Sequence, residues 1–177
     1  MNSYRQGDLD GLCGLYSVIN ASRLVVGKMR LPKSSELFHS CIRKIESKCS
    51  LPEVVCYGFG QNIMIALLRD VIMPVLPIRY SRPFCRAKDI PIDEYWTACK
   101  NFLDGAQNRA VILSYYTNWD YYLGHWTVVS GASEKRMVLF DSWNRKILVR
   151  RHCTTAQYSA EHSTFIVPTP TFFISHR

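Results

Sequence analysis

The stretch Gln6-Gly-Asp-Leu-Asp-Gly-Leu-Cys-Gly-Leu-Tyr-Ser-Val-Ile-Asn20 sets Cys13 at the first turn of an apolar segment, directly behind a glycine-containing loop. A helix that begins here turns unpaired N–H groups and the positive end of its macrodipole toward the sulfur, and both favour a thiolate. The thiolate is the nucleophilic form of cysteine, so the position suits attack on a carbonyl carbon. Position alone does not separate Cys13 from a small buried core thiol.

Two later motifs supply what such a nucleophile needs. His125 opens the run Gly124-His-Trp-Thr-Val-Val-Ser-Gly131, at the mouth of an apolar strand and just after the aromatic loop 115–122. Asp141 falls in Leu139-Phe-Asp-Ser-Trp-Asn144, at the end of the following strand. Two strands joined by a turn after Gly131 run antiparallel, so the start of the first lies beside the end of the second and His125 meets Asp141. A carboxylate in that place fixes the imidazole tautomer and stabilises an imidazolium. Taken singly, a histidine at a strand start is a common structural residue, and an aspartate at a strand end is a common turn residue. Of the other four histidines, His39 falls on a surface-like helix, and His152, His162 and His176 come late among polar residues.

The elements that must carry these residues are legible from periodicity. Leu12 to about Val26 reads as a helix, with Leu12, Leu15, Tyr16 and Ile19 near a 3.6-residue period, opened by Gly11 and closed by Gly27. A second helix is expected over 34–48, capped by Ser34 or Ser35, with Leu37, Phe38, Cys41, Ile42 and Ile45 on one face. A third covers about 61–70 before Pro74, and a fourth runs from about Asp93 to Leu103 with Gly105 as its stop. Val75 to Tyr80 reads as a strand that Pro77 confines to an edge or a bulge. Beyond Gly105 the texture becomes β-rich: 110–116, 126–130, 136–141 and 147–150 read as strands. The segments 165–167 and 172–174, broken by Pro168 and Pro170, read as two edge strands. Helices first and antiparallel strands second make an α+β protein, in contrast to the alternation of a parallel α/β sheet.

The chain has 177 residues, one domain's worth, of which 47% are hydrophobic and 20% charged; this excludes a disordered or fibrous protein. No apolar run approaches the ~20 residues of a membrane span, and the N-terminus lacks the pattern of a signal peptide. The expectation is a soluble, cytoplasmic protein without membrane contact. Twenty-two Lys and Arg against fourteen Asp and Glu give a net charge of +8, but no block of five like charges occurs, so the excess reads as a solvated basic surface. Nucleic acid is not expected as a partner, because the basic residues are not interleaved with aromatics in a stripe. The seven cysteines are odd in number and include no Cys-x-x-Cys pair, which leaves a zinc ribbon or dithiol redox site without support. Most are expected to be reduced, buried and inert. No metal or other cofactor is implied.

Together, the early helix-terminal Cys13, the strand-start His125 and the hairpin-paired Asp141 resemble the papain-like cysteine peptidases. That family runs in the order Gln, Cys, His, Asn or Asp; Gln6 stands seven residues before Cys13, and Asp141-Ser142-Trp143 looks like the family's Asn-Ser-Trp. The Asp form resembles bacterial members, including leader-processing peptidase domains of bacteriocin exporters and several effector toxins. The resemblance covers about Gln6 to Asn144. It departs at Gly14, where animal and plant papains carry Trp after the Cys, and a pro-segment before Cys13 is not expected. It implies one papain-like domain over 1–177, with a helical subdomain of about 1–105 bearing Cys13 packed on an antiparallel β subdomain of about 106–177 bearing His125 and Asp141.

The roles implied are Cys13 as nucleophile, His125 as proton carrier, Asp141 as its orienting partner, and Gln6 with the Cys13 N–H as the oxyanion hole. Trp143 would roof the His–Asp contact, and Trp126 and Tyr122 would line the substrate cleft. Trp143 reads equally as a core residue at a strand end, and the 115–122 aromatics equally as edge packing. The expected function is proteolysis of a protein substrate by a bacterial effector or toxin module, delivered into a target cell and held in check by a cognate immunity protein. A glutamine deamidase or transglutaminase would use the same three residues through a thioester. A catalytically idle basic binding module is the reading from another class.

Overall fold

The computed structural model of the chain describes residues 1–7, 9–87, 89–104, 107–117, 124–156 and 161–177. The element that organises the fold is α1, Cys13–Val26. It is buried nearly all round, including Ser17, Asn20 and Ser22, as a helix wrapped on several sides must be. It ends at Gly27, whose φ of 82° lies in the left-handed region that glycine adopts without strain, and whose N–H donates to the Arg23 carbonyl.

Around α1 lie α2 (Leu31–Glu46), α3 (Leu51–Tyr57) and α4 (Gln61–Leu67), the last continued by a π-helical turn over Leu68–Ile72. In α2 the expected face is the inward one: Leu37, Cys41 and Ile45 are buried, and Phe38 and Ile42 pack beside them. Its start differs from the expectation. Leu31 and Pro32 open the helix, because proline needs no N–H acceptor at N1 or N2, and Ser34 sits inside it, donating back to the Arg30 carbonyl. The sequence reading has no counterpart for α3.

The sheet has strands β1 (Ile78–Ser81), β2 (Arg109–Thr117), β3 (His125–Ala132), β4 (Arg136–Leu139), β5 (Ile147–Val149), β6 (Cys153–Thr154) and β7 (Thr164–His176), with α5 (Ile92–Leu103) between β1 and β2. The spatial order is β1-β7-β2-β3-β4-β5, and every pairing is antiparallel except the short β6–β7 contact. The architecture is therefore α+β, with helices concentrated in the N-terminal half and a mostly antiparallel C-terminal sheet. β1 lies at the edge, where Pro77 costs no ladder bond.

The two expected C-terminal edge strands are in fact one strand, β7, paired to β2 in the middle of the sheet. Its register steps from Phe172 opposite Ile112 to Val167 opposite Ser114. The surplus residues form a bulge that holds Pro168 and Pro170, so neither proline interrupts a needed hydrogen bond.

Each face of the sheet carries its own core. On one, Ala110, Ile112, Trp126, Val128, Phe172 and Ile174 pack against α1 and the helices behind it. On the other, Val111, Leu113, Val129, Met137 and Phe173 pack against Tyr95, Trp96 and Cys99 of α5. Among the described residues, no single helix is long and apolar enough to cross a membrane.

Candidate active site

Cys13 is the first residue of α1, and His125 is the first residue of β3. The backbone N–H of Trp126 donates to Cys13 Sγ at 3.4 Å, so the start of the helix meets the start of the strand at the sulfur. The β3–β4 hairpin closes the other side. Val129 pairs with Leu139, and the Phe140 N–H donates to the Val128 carbonyl at 2.8 Å, which carries Asp141 back to the mouth of β3. There His125 Nε2 lies 2.7 Å from Asp141 Oδ1, with both side chains buried.

Asp141 also organises its own loop. Its Oδ2 accepts the backbone N–H groups of Trp143 (2.8 Å) and Arg145 (3.2 Å), and the tight return places Asn144 at a φ of 65°, which asparagine tolerates. Burial, the largest single influence, pushes the Asp141 carboxyl up, but the hydrogen bond and charge of His125 together with further hydrogen bonds such as the Arg145 N–H outweigh it and hold the group below the usual carboxylate range. For His125, burial opposes the charge, while the hydrogen bond to Asp141 and the neighbouring Cys13 favour it more strongly; the imidazole is raised to about 9. With Nε2 taken by Asp141, Nδ1 is buried without a well-aligned hydrogen bond and is the ring nitrogen left for the thiol.

Gln6 joins the site through its N-terminal segment, which crosses from α1 to the Asp141 loop. Asn20 of α1, fully buried, accepts the Tyr4 N–H at 2.8 Å and donates to the Tyr4 carbonyl at 3.0 Å. Ser3 Oγ donates to the Asp141 carbonyl at 2.8 Å. The Gln6 side chain then accepts from Ser142 Oγ at 3.0 Å and gives one Nε2 hydrogen to the Asp10 carbonyl at 2.8 Å, which leaves the second for another acceptor.

Gln6, Cys13, His125 and Trp143 line one cleft of about 670 Å³, together with Phe59 and Tyr116. Trp143 is 48% exposed and stacks on His125, ring centroids 4.4 Å apart and planes 18° apart. Trp126 reaches the same cleft but is 5% exposed, and its Nε1 donates to the Phe59 carbonyl at 2.9 Å; it braces the wall more than it offers surface. Tyr122 lies outside the described residues. Gly14 is needed where it stands: a Cβ there would lie 2.7 Å from Phe59 Cζ and 3.0 Å from Trp126 Cδ1.

The other thiols are free. Burial pushes Cys41, Cys99 and Cys153 up to about 12, in line with inert core thiols, while Cys56 and Cys85 are exposed, unlike the buried state expected for most. Among the described residues, no group of three His, Cys, Asp or Glu side chains offers a metal-ligand set.

Three contributors are not apparent from sequence spacing: Asn20, Ser142 as the partner of Gln6, and Phe59. Each acts through a long-range contact. Ser142 alone carries a local hint, its place between Asp141 and Trp143. Comparison with known proteins adds no assignment: no protein-family model matches the chain, and no curated protein matches it.

Proposed function

We propose that this chain is a papain-like cysteine protease in which Cys13 attacks the carbonyl carbon of a peptide bond. The observation that carries the reading is the buried 2.7 Å His125–Asp141 contact beside the sulfur of a helix-terminal cysteine, in a cleft open to substrate. In the proposed cycle the Cys13 thiolate forms a bond to the carbonyl carbon, and the His125 imidazolium gives its proton to the departing amine. Water then attacks the thioester while His125 accepts its proton, releasing the acid and the thiolate. The free Nε2 hydrogen of Gln6 and the Cys13 N–H are the donors for the transient oxyanion; removing one such donor typically costs ~10²–10³ in rate. Trp143 shields the imidazolium–carboxylate contact from water.

The substrate in this reading is a protein, and the setting is a bacterial effector or toxin acting inside a target cell and covered by a cognate immunity protein. Mass spectrometry of target-cell proteins exposed to wild type and to Cys13→Ala tests it. New peptide termini made by wild type alone are the expected result. Conversion of glutamine to glutamate without new termini would replace proteolysis by deamidation, and no Cys13-dependent change would remove the enzyme reading.

A further inference from the structure

The imidazole of His125 rotates about a soft sp³–sp² torsion, so the torsion alone does not decide which ring nitrogen is offered to Cys13. Asp141 holds one nitrogen. Trp143 covers one face, but nearly half of its own surface is open to solvent. The rigid neighbour is Tyr115. It is the direct cross-strand partner of His125 between β2 and β3, it is 3% exposed, and its ring meets the imidazole at 5.3 Å with the planes 73° apart.

Tyr115 is itself fixed from several directions. Ile166 pairs with it from β7, and the Arg145 guanidinium carbon lies 4.9 Å from its ring centroid. Arg145 also donates its backbone N–H to Asp141 Oδ2 and its side chain to Thr164 Oγ1 at 3.3 Å. The loop residue that holds the carboxylate thus also holds the ring that abuts the histidine. Burial, then the nearby Asp141 charge, raise the Tyr115 hydroxyl to about 12, so it remains neutral at working pH and is not an acid or base for the reaction.

We propose that Tyr115, locked by Arg145, is a positioning residue that sets the rotation of the His125 ring so that Nδ1 stays presented to Cys13. The inference rests on the cysteine-nucleophile reading above. It requires the aromatic ring and not the hydroxyl: a leucine in the same place fills space without offering a flat, rigid edge, and the imidazole gains rotational freedom.

The test is the pH profile of Cys13 alkylation by iodoacetamide in the full chain, followed by mass spectrometry of the Cys13 peptide. Wild type is expected to show a fast plateau, the mark of a thiolate–imidazolium pair. Tyr115→Phe should match it within about twofold, and Tyr115→Leu should lower the plateau by about tenfold or more, as misplacement of a reacting group does. Arg145→Met keeps the Arg145 backbone bond to Asp141 Oδ2 and the Tyr115 ring while removing the cation over that ring and the side-chain bond to Thr164, and should lower the plateau by about threefold; it serves if the leucine variant does not fold. A plateau unchanged in Tyr115→Leu, or unchanged in Arg145→Met where only that variant folds, overturns the proposal, as does equal loss in Tyr115→Phe and Tyr115→Leu. A wild type without the plateau removes the nucleophile reading itself, and this proposal with it.

Discussion

His125 Nε2 and Asp141 Oδ1 are 2.7 Å apart, and neither side chain is more than 3% exposed. A buried pair of this kind is worth most through the penalty of breaking it, because the surviving partner is left buried without its counter-charge. Asp141→Asn keeps one acceptor oxygen, enough for the imidazole but at the cost of turning its NH2 toward the Trp143 and Arg145 N–H groups; Asp141→Ala keeps no acceptor. In the proposed reaction, the activity of the Asn variant should lie between wild type and Ala, with Cys13→Ala defining zero and circular dichroism checking the fold. Equal, complete loss in Asn and Ala would assign the effect to the negative charge itself, and equal retention would take Asp141 out of the site.

The same pair gives stability a pH window. His125 is raised from 6.5 to about 9 in the folded protein, so its contribution is fully present below pH 6.5 and is lost as pH rises through about 9. Asp141 is lowered from 3.8, so its contribution is present above pH 3.8 and is lost as pH falls through the depressed folded value. The pair therefore stabilises most between pH 3.8 and 6.5. Denaturant melts of wild type and His125→Asn should differ most in that interval, the pH-dependent part being on the order of 3 kcal/mol, and that part should vanish above about pH 9. A difference independent of pH would mean that the imidazole does not carry the charge in the folded state.

Thiol reactivity should separate Cys13 from the rest. A substoichiometric alkylator at about pH 6.5 should label Cys13 first, although Cys56 and Cys85 are the more exposed thiols. Cys41, Cys99 and Cys153, pushed up to about 12 by burial, should label only on unfolding. Preferential labelling of Cys56 or Cys85 would show that exposure and not ionisation decides reactivity here.

Gly14 tests the cleft wall. In Gly14→Ala the new methyl must push back the Phe59 ring or the Trp126 indole, and the indole is tied to the Phe59 backbone carbonyl through its Nε1 hydrogen bond. Overpacking of this kind typically costs ~1–3 kcal/mol. A lowered Tm together with a changed KM is expected, since Phe59 lines the cleft. A stable variant with unaltered kinetics would mean that the 58–60 segment yields freely.

Local patterns made α1 and the β2–β3–β4 meander legible. The helix has apolar residues at helical spacing and a glycine stop, and the hairpin topology alone predicts that His125 meets Asp141, as the 2.7 Å contact bears out. What local patterns hide is non-local. β7 reads as two broken pieces because Pro168 and Pro170 look like strand ends, and only the bulge against β2 shows how the chain absorbs them. α3 is a seven-residue helix with Val54-Val55 at its centre, too short and too β-branched to show a helical period. Gln6 is visible as a residue type, but its orientation depends on Ser142, 136 positions away. Tyr115 looks like one more strand aromatic until the β2–β3 register places it opposite His125.

Asn20 shows how far the site's support extends. It belongs to the buried middle of α1 and touches neither Cys13 nor His125 through a hydrogen bond, yet it makes both backbone bonds to Tyr4. On either side of Tyr4 the segment makes the Ser3–Asp141, Gln6–Ser142 and Gln6–Asp10 contacts. Asn20→Ala leaves the Tyr4 N–H and carbonyl unpaired next to an apolar helix, a loss of about 1–3 kcal/mol. The segment should then loosen and Gln6 should spend less time with its free hydrogen at the proposed oxyanion position. The expected kinetic signature is a fall in kcat of about tenfold with KM little changed, because an oxyanion donor acts mainly in the transition state. Gln6→Ala measured alongside should show the same split and a larger fall. If Asn20→Ala lowers Tm without touching kcat, the N-terminal segment holds the fold but does not position Gln6.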